Sequence, residues 1–334
     1  MAPLDPVALA EHLAEVESTS GREGPALERM EAVLRERNWR LARIPVSDGR
    51  WNILATSGDA PRVTLSTHLD TVPPFIPPRR ANGRLYGRGS CDAKGIAAAM
   101  TVAAERVRAN GVSVALLFVV GEETTHDGAE AANRHQTSSQ VLINGEPTEG
   151  QLAVGTKGVL CATVRTTGKA AHSAYPHLGR SAIADLVRLL ARLEQVAFPA
   201  DPELGPTTVN VGRIAGGVAD NVMAPHAEAR LMARLVGPAA EVEARLRAWA
   251  GTDAELSFDT MVPAVHLSTV PGFPTGVVAY ATDVPKLTNW GKPYLYGPGS
   301  IHVAHTDDES VAEAELHAAV DGYELLVHEA LARL

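Results

Sequence analysis

The 334-residue chain contains only two cysteines, Cys91 and Cys161. Two thiols cannot build a disulfide framework, and their spacing matches no zinc ribbon, so a reducing compartment is expected. Positive charge is also in deficit. Thirty basic side chains against 39 acidic ones leave a net charge of -9. No Lys/Arg-rich block offsets it, which argues against a phosphate-backbone ligand and sets nucleic acid aside. No apolar run reaches the roughly 18 residues of a membrane span. The opening segment "MAPLDPVALAEHLAEVEST" is acidic and helical in period, without the basic-then-apolar order of a secretory leader. Together these absences predict a soluble, cytoplasmic protein. Two catalytic signatures are missing as well. There is no G-x-S-x-G for a serine nucleophile. The Gly-rich "GRGSCDAKG" lacks P-loop spacing, because Lys94 precedes Gly95 rather than following it.

What is present is enough apolar material for a core. Hydrophobic residues make up 45% and charged residues 21%, a globular rather than a disordered balance, and the length suits one large domain or two ordinary ones. Leu9, Leu13 and Val16, then Leu27, Met30 and Leu34, recur at helical spacing around a break at "STSGREG". Short strands follow at "RLARIPV", "NILAT" and "RVTLSTH", then an Ala-rich helix from Gly95 to Arg108, and apolar strands at "VSVALLFVV" and "QVLING". Strands that are apolar throughout and alternate with helices predict an α/β domain whose central sheet is covered on both faces.

The pattern changes near Gly155. "VLCATVRTTG" alternates, Arg180 to Val196 reads as a helix, "TTVNVGRI" and "AEARLMARLV" as strands, Glu241 to Ala250 as a helix, and "AELSFD" as a last strand. That β-α-β-β-α-β order is ferredoxin-like. The α/β signal resumes with "GVVAYAT", "PYLYGPG" and a final helix from Ser310. The expected division is therefore a catalytic domain at 1–155 and 264–334, with an inserted satellite domain at 156–263.

Chemistry-bearing residues collect at strand ends, where α/β folds build sites. His68 and Asp70 follow one strand, and Asp92 opens the Ala-rich helix. Glu122 and Glu123 close the next strand, Glu146 the one after, and His302 and His305 precede the final helix. Singly, each has a plain structural reading. Together they are imidazoles and carboxylates without thiolate, a donor set that suits catalytic zinc, or cobalt and manganese, better than a structural zinc site. Glu122 and Glu123 raise a question of their own, since adjacent like charges at a strand exit repel unless something cationic holds them.

The stretches "STHLDTVPP", "GRGSCDAKG", "GEET", "NGEPT", "GKAAHSAYPHLG" and "GPGSIHVAH" resemble, in order and spacing, the motifs of the di-zinc amidohydrolase and peptidase family. That family includes acetylornithine deacetylase, succinyl-diaminopimelate desuccinylase, aminoacylase and glutamate carboxypeptidase. The resemblance implies a zinc-peptidase-like catalytic domain with a mixed central sheet flanked by helices, plus the inserted ferredoxin-like lid that carries a dimer contact. It implies two Zn²⁺ ions, with Co²⁺ or Mn²⁺ as substitutes. His68, Asp92 and Glu146 would hold one ion, and Asp92, Glu123 and His305 the other, with Asp92 as the bridge. Asp70 would fix the tautomer of His68, Glu122 would be the general base, and a cis peptide would follow Asp92. His172 would donate to the oxyanion, from its own or a partner subunit. Asn221 and Arg234 would grip the substrate's α-carboxylate, and the Gly297–Ser300 loop would close over it. Cys91, His126 and His302 have no role in that scheme, and Arg230 reads as a surface charge. The implied reaction is hydrolysis of the amide bond of a small N-acyl amino acid, most like acetylornithine deacetylase. A succinyl-diaminopimelate desuccinylase, a carboxypeptidase or a dipeptidase stands as the alternative. A catalytically silent binding protein would have lost at least one of the site residues, and none is lost.

Overall fold

Strand Val114–Val119 reads Val-Ala-Leu-Leu-Phe-Val, and every residue in it is buried. Consecutive apolar residues point alternately up and down from a strand, so this one must be covered on both faces. The computed structural model, which describes residues 3–334, supplies both covers. It divides into two units, one formed by 3–154, 267–276 and 282–334, the other by 155–266 and 277–281.

The first unit holds β1 (Arg40–Ser47), β2 (Arg50–Thr56), β3 (Val63–His68), β4 (Val114–Val119), β5 (Val141–Asn144) and a sixth strand, Lys292–Leu295. Their order across the sheet is β1-β2-β4-β3-β5 and then the sixth strand. β1, β2 and β4 pair antiparallel, while β4, β3, β5 and the sixth strand run parallel. The sheet is therefore mixed. On one face Ile53, Leu65, Leu116, Phe118 and Ile143 pack with helices α1 (Pro6–Ala14), α2 (Gly24–Glu36), α3 (Lys94–Ala109) and the C-terminal helix Glu313–Leu331. On the other, Leu54, Leu117, Val119 and Leu142 meet Ala129 and Ala132 of α4 (Asp127–Asn133) and the ring of Trp290.

The parallel strands β3, β4 and β5 end side by side, so the segments after them emerge at one edge. α3 starts beside that edge because Gly95 lets its first turn approach the preceding loop. A Cβ there would stand 2.2 Å from the Ser90 carbonyl oxygen. The C-terminal helix begins later than its apolar period predicts. Ser310–Ala312 pairs as a strand with Arg84–Tyr86, and the helix proper starts at Glu313. There the Glu315 carboxylate accepts the Ala312 N–H at 3.0 Å.

The second unit contains β6 (Gly158–Thr167), α5 (Ala182–Leu190), β7 (Thr208–Gly216), β8 (His226–Leu235), α6 (Ala239–Ala250) and β9 (Glu255–Val262), in the ferredoxin-like order. The sheet runs β7-β8-β6-β9 and is antiparallel throughout. Leu160, Val164, Ala229 and Leu231 bury one face beneath Leu186 and Leu189 of α5 and Leu246 of α6. The helix expected from Arg180 to Val196 stops at Leu190 and continues as a short 3₁₀ turn, Leu193–Gln195. The segment 277–281 clusters with this unit, where the Lys157 N–H donates to the Val278 carbonyl at 2.9 Å.

Candidate metal centre

β3 delivers His68 as its last residue. Its Nδ1–H donates to the backbone carbonyl of Asp70 at 3.0 Å, and the Asp70 carboxylate stands further off at 3.6 Å. The tautomer of His68 is thus set by the carbonyl of Asp70 more directly than by the expected carboxylate. That carboxylate has other work. It accepts the Ser20 hydroxyl at 2.7 Å and the backbone N–H groups of Glu122 and Glu123, each at 3.1 Å. Burial alone would raise its pKa, but His68 and these donors hold it below the ordinary carboxylate value. Asp70 therefore ties the exit of β3 to the exit of β4 and fixes the backbone from which both glutamates project.

His68 Nε2 lies 3.0 Å from Asp92 Oδ1. The other oxygen of Asp92 lies 3.4 Å from His305 Nε2, and His305 Nε2 is 2.9 Å from Glu123 Oε1. Asp92 thus stands between two imidazoles, one on each carboxylate oxygen, the arrangement a bridging ligand requires. The peptide after it, Asp92–Ala93, is cis. The ligand atoms of His68, Asp92 and Glu123 lie within 4.8 Å of one another. Glu146, buried just beyond β5, has one carboxylate oxygen with no hydrogen-bond partner.

The electrostatics point the same way. Burial, then Glu146, push Glu122 well above the usual carboxylate range. Burial likewise raises Glu146, with Asp92, Asp283 and Glu123 adding to it. Burial would depress His68, yet the aspartates beside it hold it well above the usual imidazole value. Asp92 and Glu123 raise His305 to about 10. Each Nε2 faces a carboxylate oxygen, and the carboxylates outnumber the imidazoles. These donors fit dications, which would occupy the Nε2 lone pairs and satisfy the orphaned Glu146 oxygen.

A residue that sequence reasoning missed holds Asp92 in place. Glu309, fully buried, accepts the N–H groups of Gly89, Cys91 and Asp92 at 2.9, 3.2 and 3.1 Å through one oxygen. Through the other it accepts Arg88 Nη1 at 2.7 Å. Cys91 is buried with its Sγ 3.5 Å from the Ser300 carbonyl, and burial pushes its thiol up, which is the plain packing role expected. The Gly297–Ser300 loop is bound to the segment after β5. Glu149 N–H donates to the Gly299 carbonyl at 2.8 Å, Gly150 N–H donates to the Gly297 carbonyl at 2.9 Å, and the Ser300 hydroxyl donates to Glu149 at 2.5 Å. A Cβ at Gly297 would meet the Glu146 carbonyl at 2.4 Å, so only glycine permits the approach.

His172, Asn221 and Arg234 lie in the second unit. His172 is exposed, and its segment is joined to Asn221 by the Ser173 N–H, which donates to the Asn221 carbonyl at 2.9 Å. Asn221 precedes the first residue of β8, whereas Arg234 is next to its last. Asn221 lies outside that strand, in the turn before it, so only Arg234 is carried by β8. Arg230 pairs with Asp259 and Thr163, in keeping with a surface charge. His126 is drawn to Asp283, its Nδ1 2.8 Å from the carboxylate, and takes no part in the Asp92 cluster.

The family model described as peptidase family M20/M25/M40 matches residues 64–329. A probable carboxypeptidase of Aspergillus fumigatus is 40% identical over 376 residues, covering 96% of this chain and 86% of that protein. Among solved structures, a tripeptidase from Staphylococcus aureus superposes with a TM-score of 0.82 at 18% identity, covering all of both chains. A dinuclear metal-binding M20 peptidase from Bacillus subtilis does so with a TM-score of 0.70 at 15% identity and 97% coverage of each chain. With a strand-end cluster of imidazoles and carboxylates, a family match over most of its length and a relative that similar, the chain belongs to peptidase family M20/M25/M40 and is a metal-dependent hydrolase.

Proposed function

We propose that this chain is a two-zinc hydrolase that cleaves an amide bond whose amine side carries a free α-carboxylate, as a carboxypeptidase does. The observation that carries the reading is Asp92, held between His68 and His305 with Glu122, Glu123 and Glu146 converging on the same strand ends. His68, Asp92 and Glu146 would hold one ion, and Asp92, Glu123 and His305 the other. When bound, the ions supply a Lewis acid for the scissile carbonyl and an acidified water. Glu122 accepts the proton from the attacking water and returns it to the leaving amine, so that the nucleophile is made and the amine departs neutral. Asp70 holds the Glu122 N–H and thereby sets where that carboxylate reaches. His172 is the proposed donor to the oxyanion, and Asn221, Arg234 and the Gly297–Ser300 loop the proposed contacts to substrate.

The Aspergillus relatives, described as probable carboxypeptidases, favour a peptide-like substrate over N-acetylornithine. Deacylation of an N-acyl amino acid is the second reading, because its leaving amine is the same free amino acid and the donor set serves both. Support for a homodimer through the second unit comes from β7, an edge strand on which Val211 and Ile214 are exposed. Among the described residues no helix is long and apolar enough to cross a membrane. The test is a substrate panel: N-blocked dipeptides, the same peptides with amidated C-termini, N-acetylornithine, N-acetylcitrulline and N-succinyl-diaminopimelate. Cleavage of free-acid substrates with loss of rate on amidation is the expected result. Equal rates on the amidated peptides would overturn the carboxylate requirement.

A further inference from the structure

Beside the Asp92 cluster, the ligand atoms of Glu122, His126 and Asp283 lie within 4.8 Å of one another. We propose that these residues form a further cation site, separate from the metal centre, and that zinc bound there inhibits the enzyme by taking up Glu122. The inhibitory half rests on the reading of Glu122 as the general base.

His126 sits between the two carboxylates. Its Nδ1 is 2.8 Å from Asp283 Oδ1 and 4.0 Å from Glu122 Oε1. A tetrahedral zinc with bonds of about 2.0–2.2 Å holds its ligands about 3.3–3.5 Å apart. The two observed separations fall on either side of that value, so small side-chain adjustments close the set. A second observation marks the place as more than a hydrogen-bonded pair. Asp283 is 1% exposed, and its Oδ2 has no hydrogen-bond partner. A buried carboxylate oxygen left unpaired is costly, and a cation would satisfy it. The site is reachable, because the side chains of His126 and Glu122 keep 15% and 11% of their exposure. One nitrogen and two carboxylate oxygens, with a fourth position for water, suit zinc rather than calcium or magnesium.

Binding displaces a proton. The Nδ1–H that His126 donates to Asp283 in the free site moves to Nε2, leaving the Nδ1 lone pair for the ion. Glu122 then spends an oxygen lone pair on the ion and can no longer take a proton from water. The same carboxylate cannot serve both purposes, and inhibition follows.

The test uses the whole protein loaded with two zinc equivalents, then titrated with free zinc. Bound metal is measured by equilibrium dialysis and the hydrolysis rate is followed in parallel. His126→Asn is the first variant, since asparagine tolerates the left-handed backbone found at this position (φ 55°). Asp283→Asn is the second, keeping the shape while removing the charge. In the wild type a further equivalent should bind, and the rate should fall by about 10²–10⁴-fold as it fills, the range general-base catalysis contributes. Both variants should keep the two-equivalent rate, bind no further equivalent and resist the added zinc. No further binding by wild type up to about 1 mM zinc would overturn the proposal. So would a further equivalent that the variants bind equally well, or one that fills without slowing the reaction. Absence of the first two equivalents would show the metal-centre reading failing, and the proposal with it.

Discussion

The carboxylate of Glu309 accepts the backbone N–H of Asp92 at 3.1 Å, from 217 residues away in sequence. The same oxygen accepts the N–H groups of Gly89 and Cys91, while its partner oxygen takes the Arg88 guanidinium. A buried anion with this many donors fixes the loop that presents Asp92. Glu309→Ala strands a buried Arg88 and three amides, and breaking such a pair costs about 3–5 kcal/mol. Denaturant unfolding should show that loss, and competition with a chelator should show weaker zinc binding. Glu309→Gln, which keeps an acceptor for the amides, should lie between. Wild-type zinc affinity in the alanine variant would show that the loop needs no such anchor.

Glu122→Ala separates the proposed base from the proposed ligands. It leaves His68, Asp92, Glu123, Glu146 and His305 intact, so metal content measured on the purified protein should match wild type. The rate should fall by about 10²–10⁴-fold, the usual contribution of a general base. A variant that keeps most of its rate would move the base elsewhere.

Why some of this was legible in the sequence and some was not comes down to distance along the chain. His68, Asp92, Glu122, Glu123 and Glu146 stand out as a group because each closes or follows an apolar strand or precedes a helix, and parallel strands bring such ends together. The place of His305 comes instead from the resemblance of "GPGSIHVAH" to a family motif. Glu309 gave no such signal. It sits in "HTDDE", where an acidic run reads as a solvated turn, and only the fold shows it buried against Arg88. Asp283 is equally silent in sequence, its meeting with His126 spanning 157 residues. The role of Asp70 was half visible. Its nearness to His68 follows from spacing, but its grip on the N–H groups of Glu122 and Glu123 needs the parallel pairing of β3 with β4.

Glu31 offers a pH test away from the metal centre. It is buried, and burial would raise its pKa, but bonds from Arg43, Trp51 and Arg35 hold it below the ordinary carboxylate value of 4.5. A depressed carboxylate stabilises the fold above its unfolded pKa, and that contribution is lost as pH falls through the folded one. At neutral pH Glu31→Gln should therefore cost about 1.5–3 kcal/mol, the range for hydrogen bonds to a charged group. The gap to wild type in urea unfolding should close as the pH is taken below 4.5. A gap independent of pH would mean that packing, not charge, dominates there.

Metal removal should make stability steeply pH-dependent, and the sign can be worked out from the same cluster. Burial raises Glu122 and Glu146 above the unfolded value, so as pH rises their ionisation is taken up by the unfolded chain first and the metal-free fold loses stability. His305, raised to about 10 by Asp92 and Glu123, works in the same direction. Its contribution is complete below the unfolded value of 6.5 and is lost as pH climbs towards 10. Both effects weaken the stripped protein on the alkaline side. Zinc replaces the missing positive charge and adds about 4 kcal/mol when present at a thousand times its dissociation constant. Thermal unfolding of chelator-treated protein should thus show a midpoint that falls from about pH 5 to about pH 9, with zinc restoring it most at the alkaline end. A metal-free midpoint that rises over that interval would mean that these carboxylates are compensated by something other than the two imidazoles and the ions.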